Sequence, residues 1–290
     1  METSFLLFLV DGVVFGLILS LIAAGLTLIY GLAGVLNLAH GELLVICTAT
    51  SAVLIQFLGL PLPAALAVGI VMTMGAAVFL EKILLQPVYR LEGEERTLLG
   101  LYLTLAFSIF LHSALIVTFP LAFLTVNIPA PSISIMGLTL RTAQVVAGIV
   151  SAAILAAVYI FLRKTWSGMA IRSLTQNETG ALIVGVSVKR YRLFVFLLGA
   201  LLVSLAGIIR SVVATVAPEG GIEFTILGLL VCVVGGIRSV YGTIMAGLVI
   251  GVVYTFLVVF IGTYLAYVAL LIIIMALLLI RPYGIVGERL

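Results

Sequence analysis

Three hydrogen-bonding side chains fall within six positions at Asn37, His40 and Glu42, beside Gly31, Gly34 and Gly41, in the stretch GLTLIYGLAGVLNLAHGE at 25–42. A carboxamide, an imidazole and a carboxylate can hold a polar solute or pass a proton, and the glycines let the backbone leave helical geometry. Long apolar runs flank the stretch on both sides. Irregular backbone inside a membrane is tolerated only against protein or water, so a break here can line a solute path or sit at its mouth. Asn37, His40, Gly41 and Glu42 are the candidate path or gate residues, with an ordinary polar loop as the alternative.

The second informative stretch, SGMAIRSLTQNETGALIVGVSVKRYR at 167–192, is the longest polar interval of the chain. Thr175 followed by Glu178 matches a capping box, and Gly185 is placed for a left-handed C-cap, which together predict a surface helix over 176–184. Ala181, Leu182 and Val184 give that helix an apolar side, suited to packing on the membrane domain or entering a groove on a partner.

Catalytic chemistry of the chain's own is hard to assemble. There is no Gly-Lys pair, so the phosphate-cradling loop of nucleotide hydrolases is missing and any ATP is hydrolysed by a partner. The two histidines, His40 and His112, form no H-E-x-x-H pair. Cys47 and Cys232 lie singly in apolar surroundings, which favours two buried thiols over a disulfide or zinc site.

The elements that position these groups follow from composition. Of 290 residues 64% are hydrophobic and 9% charged, whereas a soluble domain carries roughly 25% charged residues. The surface must face lipid, and without barrel-type alternation the fold class is all-α, a single transmembrane domain over 1–290. Apolar segments are read at 5–30, 42–58, 62–85, 97–119, 142–162, 191–214, 224–237, 242–260 and 263–280, giving eight or nine spans, the seventh being the short one. Met1 to Ser4 lack a basic n-region, so the first run reads as a retained span.

Basic residues collect in the loop 81–97, in 163–192 and in the tail, which places these on the cytoplasmic side with the amino terminus outside if all nine segments cross. The net charge of +3 is small and gives no nucleic-acid footprint. The outer loop, 120–141, alternates around Met136 and Gly137 as a small hairpin would, either a connector or a docking surface. Asp11 and Arg210, near the outer ends of their spans, read as interfacial snorkelling groups. Small-residue pairs such as Gly16 with Ser20 and Gly247 with Gly251 read as helix-packing seams.

With these segments in view, the sequence resembles the branched-chain amino-acid permease family of ABC importers, in particular its shorter H-type subunit. The likeness rests on the 25–42 stretch, on 167–192 leading into LLGALLVSLAGII at 197–209, and on VVGGIRSVYGTIMAGLVIG at 233–251. It implies an importer permease bundle in a bacterial or archaeal plasma membrane, a second related permease subunit, two cytosolic ATPase subunits that bind ATP and Mg, and an external solute-binding protein. It further implies ATPase coupling through Arg172, Asn177, Glu178, Ala181, Leu182 and Gly185. The turn Ile237 to Tyr241 departs from the family's smaller, glycine-containing turn. A stand-alone channel or carrier for small neutral solutes is the rival reading.

Overall fold

The computed structural model describes residues 2–119, 132–135, 138–281 and 284. Its helices are α1 (Glu2–Ala33), α2 (His40–Gln56), α3 (Leu62–Phe79), α4 (Gly93–Thr118), α5 (Thr142–Lys164), α6 (Trp166–Gln176), α7 (Glu178–Ile183), α8 (Val188–Val213), α9 (Gly221–Gly235), α10 (Val240–Ile261) and α11 (Thr263–Ile280). A π-helical turn at Leu80–Leu84 extends α3, and a 3-10 turn at Pro218–Gly220 leads into α9. Eight helical stretches are long and apolar enough to cross a membrane, and each predicted apolar run has its helix.

The short element is the second and not the seventh. Residues 218–235 make a continuous helical stretch of 18 residues, because Pro218 opens the turn that precedes α9. By contrast α2 has 17 residues, about 25 Å of helix against a hydrocarbon core of about 30 Å. Its beginning lies deep in the bundle: the Leu43 carbonyl accepts from Thr73 Oγ1 at 3.4 Å, and Thr73 is midway along the 62–84 span.

Residues 34–39, which are not helical, carry the chain from the end of α1 to that depth. They run beside α4, with Gly34 next to the Arg96 guanidinium, Val35 against Gly100, and Thr104 Oγ1 donating to the Leu36 carbonyl at 2.9 Å. This second apolar stretch is therefore part extended segment and part a helix a few ångströms shorter than the hydrocarbon core.

The centre of the bundle is α1 against α8, α9 and α10. Along the α1–α10 seam a Cβ placed on Gly16 would lie 2.7 Å from the Gly247 carbonyl, and Ser20 Oγ donates to the Ile244 carbonyl at 3.1 Å. Helices can approach this closely only on small residues, and the backbone contact replaces a hydrophobic drive that lipid cannot supply. Cys47 and Cys232 are free and buried, and Thr27 bridges Cys232 and Thr243 inside the core.

The hairpin is present: β1 (Ser132–Ile135) pairs antiparallel with β2 (Leu138–Arg141), Ile135 opposite Leu138. Its tip and residues 120–131 lie outside the described residues. The atypical turn after Gly235 has a local solution: Gly236 takes φ +97°, and Ser239 caps α10 by accepting from Gly242 N at 3.1 Å.

Candidate functional site

The break and the start of α2 gather the predicted polar residues in one buried place. Asn37, His40 and Glu42 are all buried. Asn37 Oδ1 accepts from Ala39 N at 3.1 Å, which turns the chain into α2. The next free amide, Gly41 N, donates to Thr225 Oγ1 of α9 at 2.8 Å. Glycine is required at 41 because the side where a Cβ would stand is filled by the Gly221 carbonyl and by Thr225.

Glu42 enters the first turn of α2, where a carboxylate complements the helix dipole. Its Oε1 lies 3.3 Å from His112 Nδ1 of α4, and a Cβ at Gly221 would fall on the carboxylate itself. Two polar atoms here, Asn37 Nδ2 and Glu42 Oε2, are buried with no hydrogen-bond partner among the described residues, and the buried His40 ring faces the Ile22 backbone. Unpaired polar groups cost about 1–3 kcal/mol each when buried, so such a cluster is retained against stability. The structure brings together Asn37, His40, Gly41 and Glu42, named from sequence as path or gate candidates, and adds His112, Thr225 and Gly221, which no local signal connects to them.

The 163–192 segment is two helices and not the one predicted over 176–184. Thr165 caps α6 by accepting from Gly168 N at 3.0 Å. Thr175 sits in the last turn of α6 and donates to the Arg172 carbonyl at 2.8 Å, so it cannot cap α7. Asn177 is the cap of α7, accepting from Gly180 N at 2.8 Å. Gly185, at φ +85°, ends α7 as expected: Val186 N donates to the Ala181 carbonyl and Gly185 N to the Leu182 carbonyl, both at 3.0 Å, a Schellman closure.

The two sides of α7 differ. Ala181 is buried against the protein, whereas Leu182, Ile183 and Val184 project outward, the last two more than three-quarters exposed. Glu178 reaches back to the membrane domain, 3.8 Å from Arg96 on α4 and 3.6 Å from Arg192 on α8. Both guanidiniums lie over the Tyr89 ring, Arg192 at 3.7 Å and Arg96 at 5.6 Å from its centroid. Burial, then the Glu81 carboxylate, push the Tyr89 phenol upward, so it remains neutral under this cationic pair. A cleft of about 790 Å³ opens beside these groups, bordered by Lys82, Arg90 and Lys189. Arg172 is exposed on α6.

No group of three or more His, Cys, Asp or Glu side chains is arranged to hold a metal among the described residues.

Residues 8–280 match the family model described as branched-chain amino acid transport system / permease component. The chain is 28% identical over 310 residues to the high-affinity branched-chain amino acid transport system permease protein LivH of Escherichia coli strain K12, covering 99% of this chain and 98% of that protein. It is 26% identical over 296 residues to the permease protein BraD of Pseudomonas aeruginosa, covering 97% and 95%. Among solved structures, PsaBC from Streptococcus pneumoniae in complex with Fab superposes with a TM-score of 0.52 at 17% identity, covering 97% of this chain and 95% of that one. That last likeness concerns the fold.

Proposed function

The chain belongs to the family of branched-chain amino acid transport system permease components, and on that premise we propose how its two polar segments divide the work of an ABC importer. It is a multi-pass membrane permease of a branched-chain amino acid transport system and not itself an enzyme. Such permeases work in complexes with ATPases, which handle ATP, and with a solute-binding protein. In our reading the full assembly contains a second related permease subunit, two cytosolic ATPases carrying ATP and Mg, and an external binding protein.

Residues 34–42 form the gate, and α6–α7 form the ATPase contact on the cytoplasmic side. The exposed Leu182, Ile183 and Val184 enter a groove on the ATPase. Asn37, His40 and Glu42 exchange partners as the gate moves, which is why Asn37 Nδ2 and Glu42 Oε2 are buried without fixed ones.

The observation that supports a link between these two segments is Arg96. It is ion-paired to Glu178 of α7 and its guanidinium lies beside Gly34, where the extended segment begins. A shift of α7 thus acts on the gate through one side chain.

The test is purification of the tagged complex from its membrane, followed by reconstitution with binding protein. Wild type should retain two ATPases and a second permease and take up aliphatic amino acids with ATP. Asn37→Ala and His40→Ala should change uptake or basal ATP hydrolysis at normal assembly. If they lower only assembly, these residues serve packing and the gate assignment fails.

A further inference from the structure

A cavity of about 810 Å³ lies between α1, α8, α9 and α10, at the end of the bundle opposite α6 and α7. It is within the size range of small-molecule sites, roughly 300–1,000 Å³. Charges of both signs border it: Asp11, Arg141, Arg210 and Glu223. The remaining wall is largely apolar and includes Phe15 and Phe224.

The charges lie close enough to feel one another, Asp11 with Arg141 and Arg210 with Glu223, and Glu223 also meets the Tyr254 hydroxyl, but none of these carboxylates closes an ion pair within 4 Å. Arg210 forms no salt bridge with any described residue, and its Nε is buried without a hydrogen-bond partner. Its guanidinium lies 5.8 Å from the centroid of the Phe15 ring, over an apolar face. Asp11 has one partner on its Oδ1, the Gln144 side-chain amide. Glu223 is exposed, one turn into α9.

Two fixed cations and two fixed anions around an apolar hollow complement a solute that carries both charges and an aliphatic body. Arginine is the residue best suited to a carboxylate, which it can grip with two parallel N–H donors. We propose that this cavity is a holding site for a zwitterionic aliphatic amino acid within the permease, its carboxylate on Arg210, its ammonium towards Glu223 and its side chain against Phe15 and Phe224.

The assignment rests on the transport reading and adds to it a place and a polarity. The site adjoins the gate directly: Gly220, Glu223 and Phe224 line the cavity, while the intervening Gly221 packs on Glu42. The start of α9 is thus the partition between solute and gate, and a displacement of α9 joins the two. Asp11 and Arg210, which read from sequence as interfacial groups, share one cavity because α1 and α8 pack side by side.

The experiment uses the whole complex in proteoliposomes with saturating binding protein and L-leucine, together with leucinamide, which lacks the carboxylate. Arg210→Gln should lower the maximal rate of leucine uptake at least tenfold in complexes that retain both ATPases. It should also narrow the difference between leucine and leucinamide as ligands that raise the thermal midpoint of the complex without binding protein. Should Arg210→Gln fail to assemble, Glu223→Gln, at an exposed position, carries the test from the ammonium side, with 4-methylpentanoate, which lacks the ammonium, in place of leucinamide. Wild-type uptake and wild-type thermal response in the assembled variants would overturn the site and leave the transport reading intact. A wild-type complex that moves no aliphatic amino acid would overturn both.

Discussion

Replacing Gly41 by alanine tests whether the close approach of α2 and α9 holds the gate in place. The new Cβ would lie 2.6 Å from Thr225 Oγ1 and 2.7 Å from Thr225 N, and deeper still inside the Gly221 carbonyl. Non-bonded contacts are comfortable at about 3.5 Å and the Gly221 carbonyl is the tightest obstacle, so the helices must part by roughly 1.5 Å. The obstacles are mainly backbone atoms of a helix start, which cannot rotate aside.

Overpacking of this kind costs about 1–3 kcal/mol, here near the upper end. Parting the helices also stretches the Gly41 N to Thr225 Oγ1 bond, about 1 kcal/mol. The better helix propensity of alanine returns at most about 1 kcal/mol. The net is about 3 kcal/mol, roughly a hundredfold in the unfolding equilibrium.

Reversible unfolding of the purified chain in mixed micelles by an anionic detergent, followed by circular dichroism, measures this directly. Gly75→Ala is the matched control, since nothing lies within 4 Å of its Cβ position; it should be neutral or gain about 0.5–1 kcal/mol. A Gly41→Ala chain as stable as wild type would refute the packing argument and with it the claim that α9 fixes the position of Glu42.

On α7, Leu182→Asp should leave the chain folded and abolish ATP-driven uptake, measured in vesicles beside ATPase retention on the tagged chain. Ala181→Asp should instead destabilise it by about 2–7 kcal/mol, seen as loss of membrane-inserted protein, because that side chain is buried. Glu178→Ala should destabilise by about 1–3 kcal/mol, since it leaves the largely buried Arg96 and Arg192 without their carboxylate, and raise ATP hydrolysed per solute moved; an unchanged ratio would remove Glu178 from the linkage. Asn177→Ala should cost about 0.5–2 kcal/mol locally, read as faster hydrogen exchange over 178–184 with α6 unaffected.

The fold was largely legible because lipid imposes a simple demand: each span must be apolar for its length, and nine such runs stand out. The boundaries failed where the demand relaxes. Pro218 opens a helix earlier than hydropathy suggests, whereas residues 34–39 leave helical geometry inside the break already read between residues 30 and 42. The cap of α7 was misplaced by two residues since Thr175 and Asn177 both precede helix formers at suitable spacing; only the continuation of α6 through Gln176 decides between them. The polar break was visible as composition. Its partners His112, Thr225 and Gly221 were not, for they arrive from α4 and α9 and nothing in their own neighbourhoods points back to residue 42.

The α1–α10 seam also sets a schedule for synthesis. Gly16 enters the membrane more than 200 residues before Gly251 can meet it, roughly 10–50 s at 5–20 residues per second. Through that interval the small-residue face of α1, Ser20 included, is a groove without its ridge, open to any other helix that carries small residues at the same spacing. Nascent chains arrested before residue 240 are therefore predicted to cross-link promiscuously through a cysteine introduced into α1, and full-length chains to cross-link only internally, so that α10, in roughly the last sixth of the protein, acts as chaperone to the first helix.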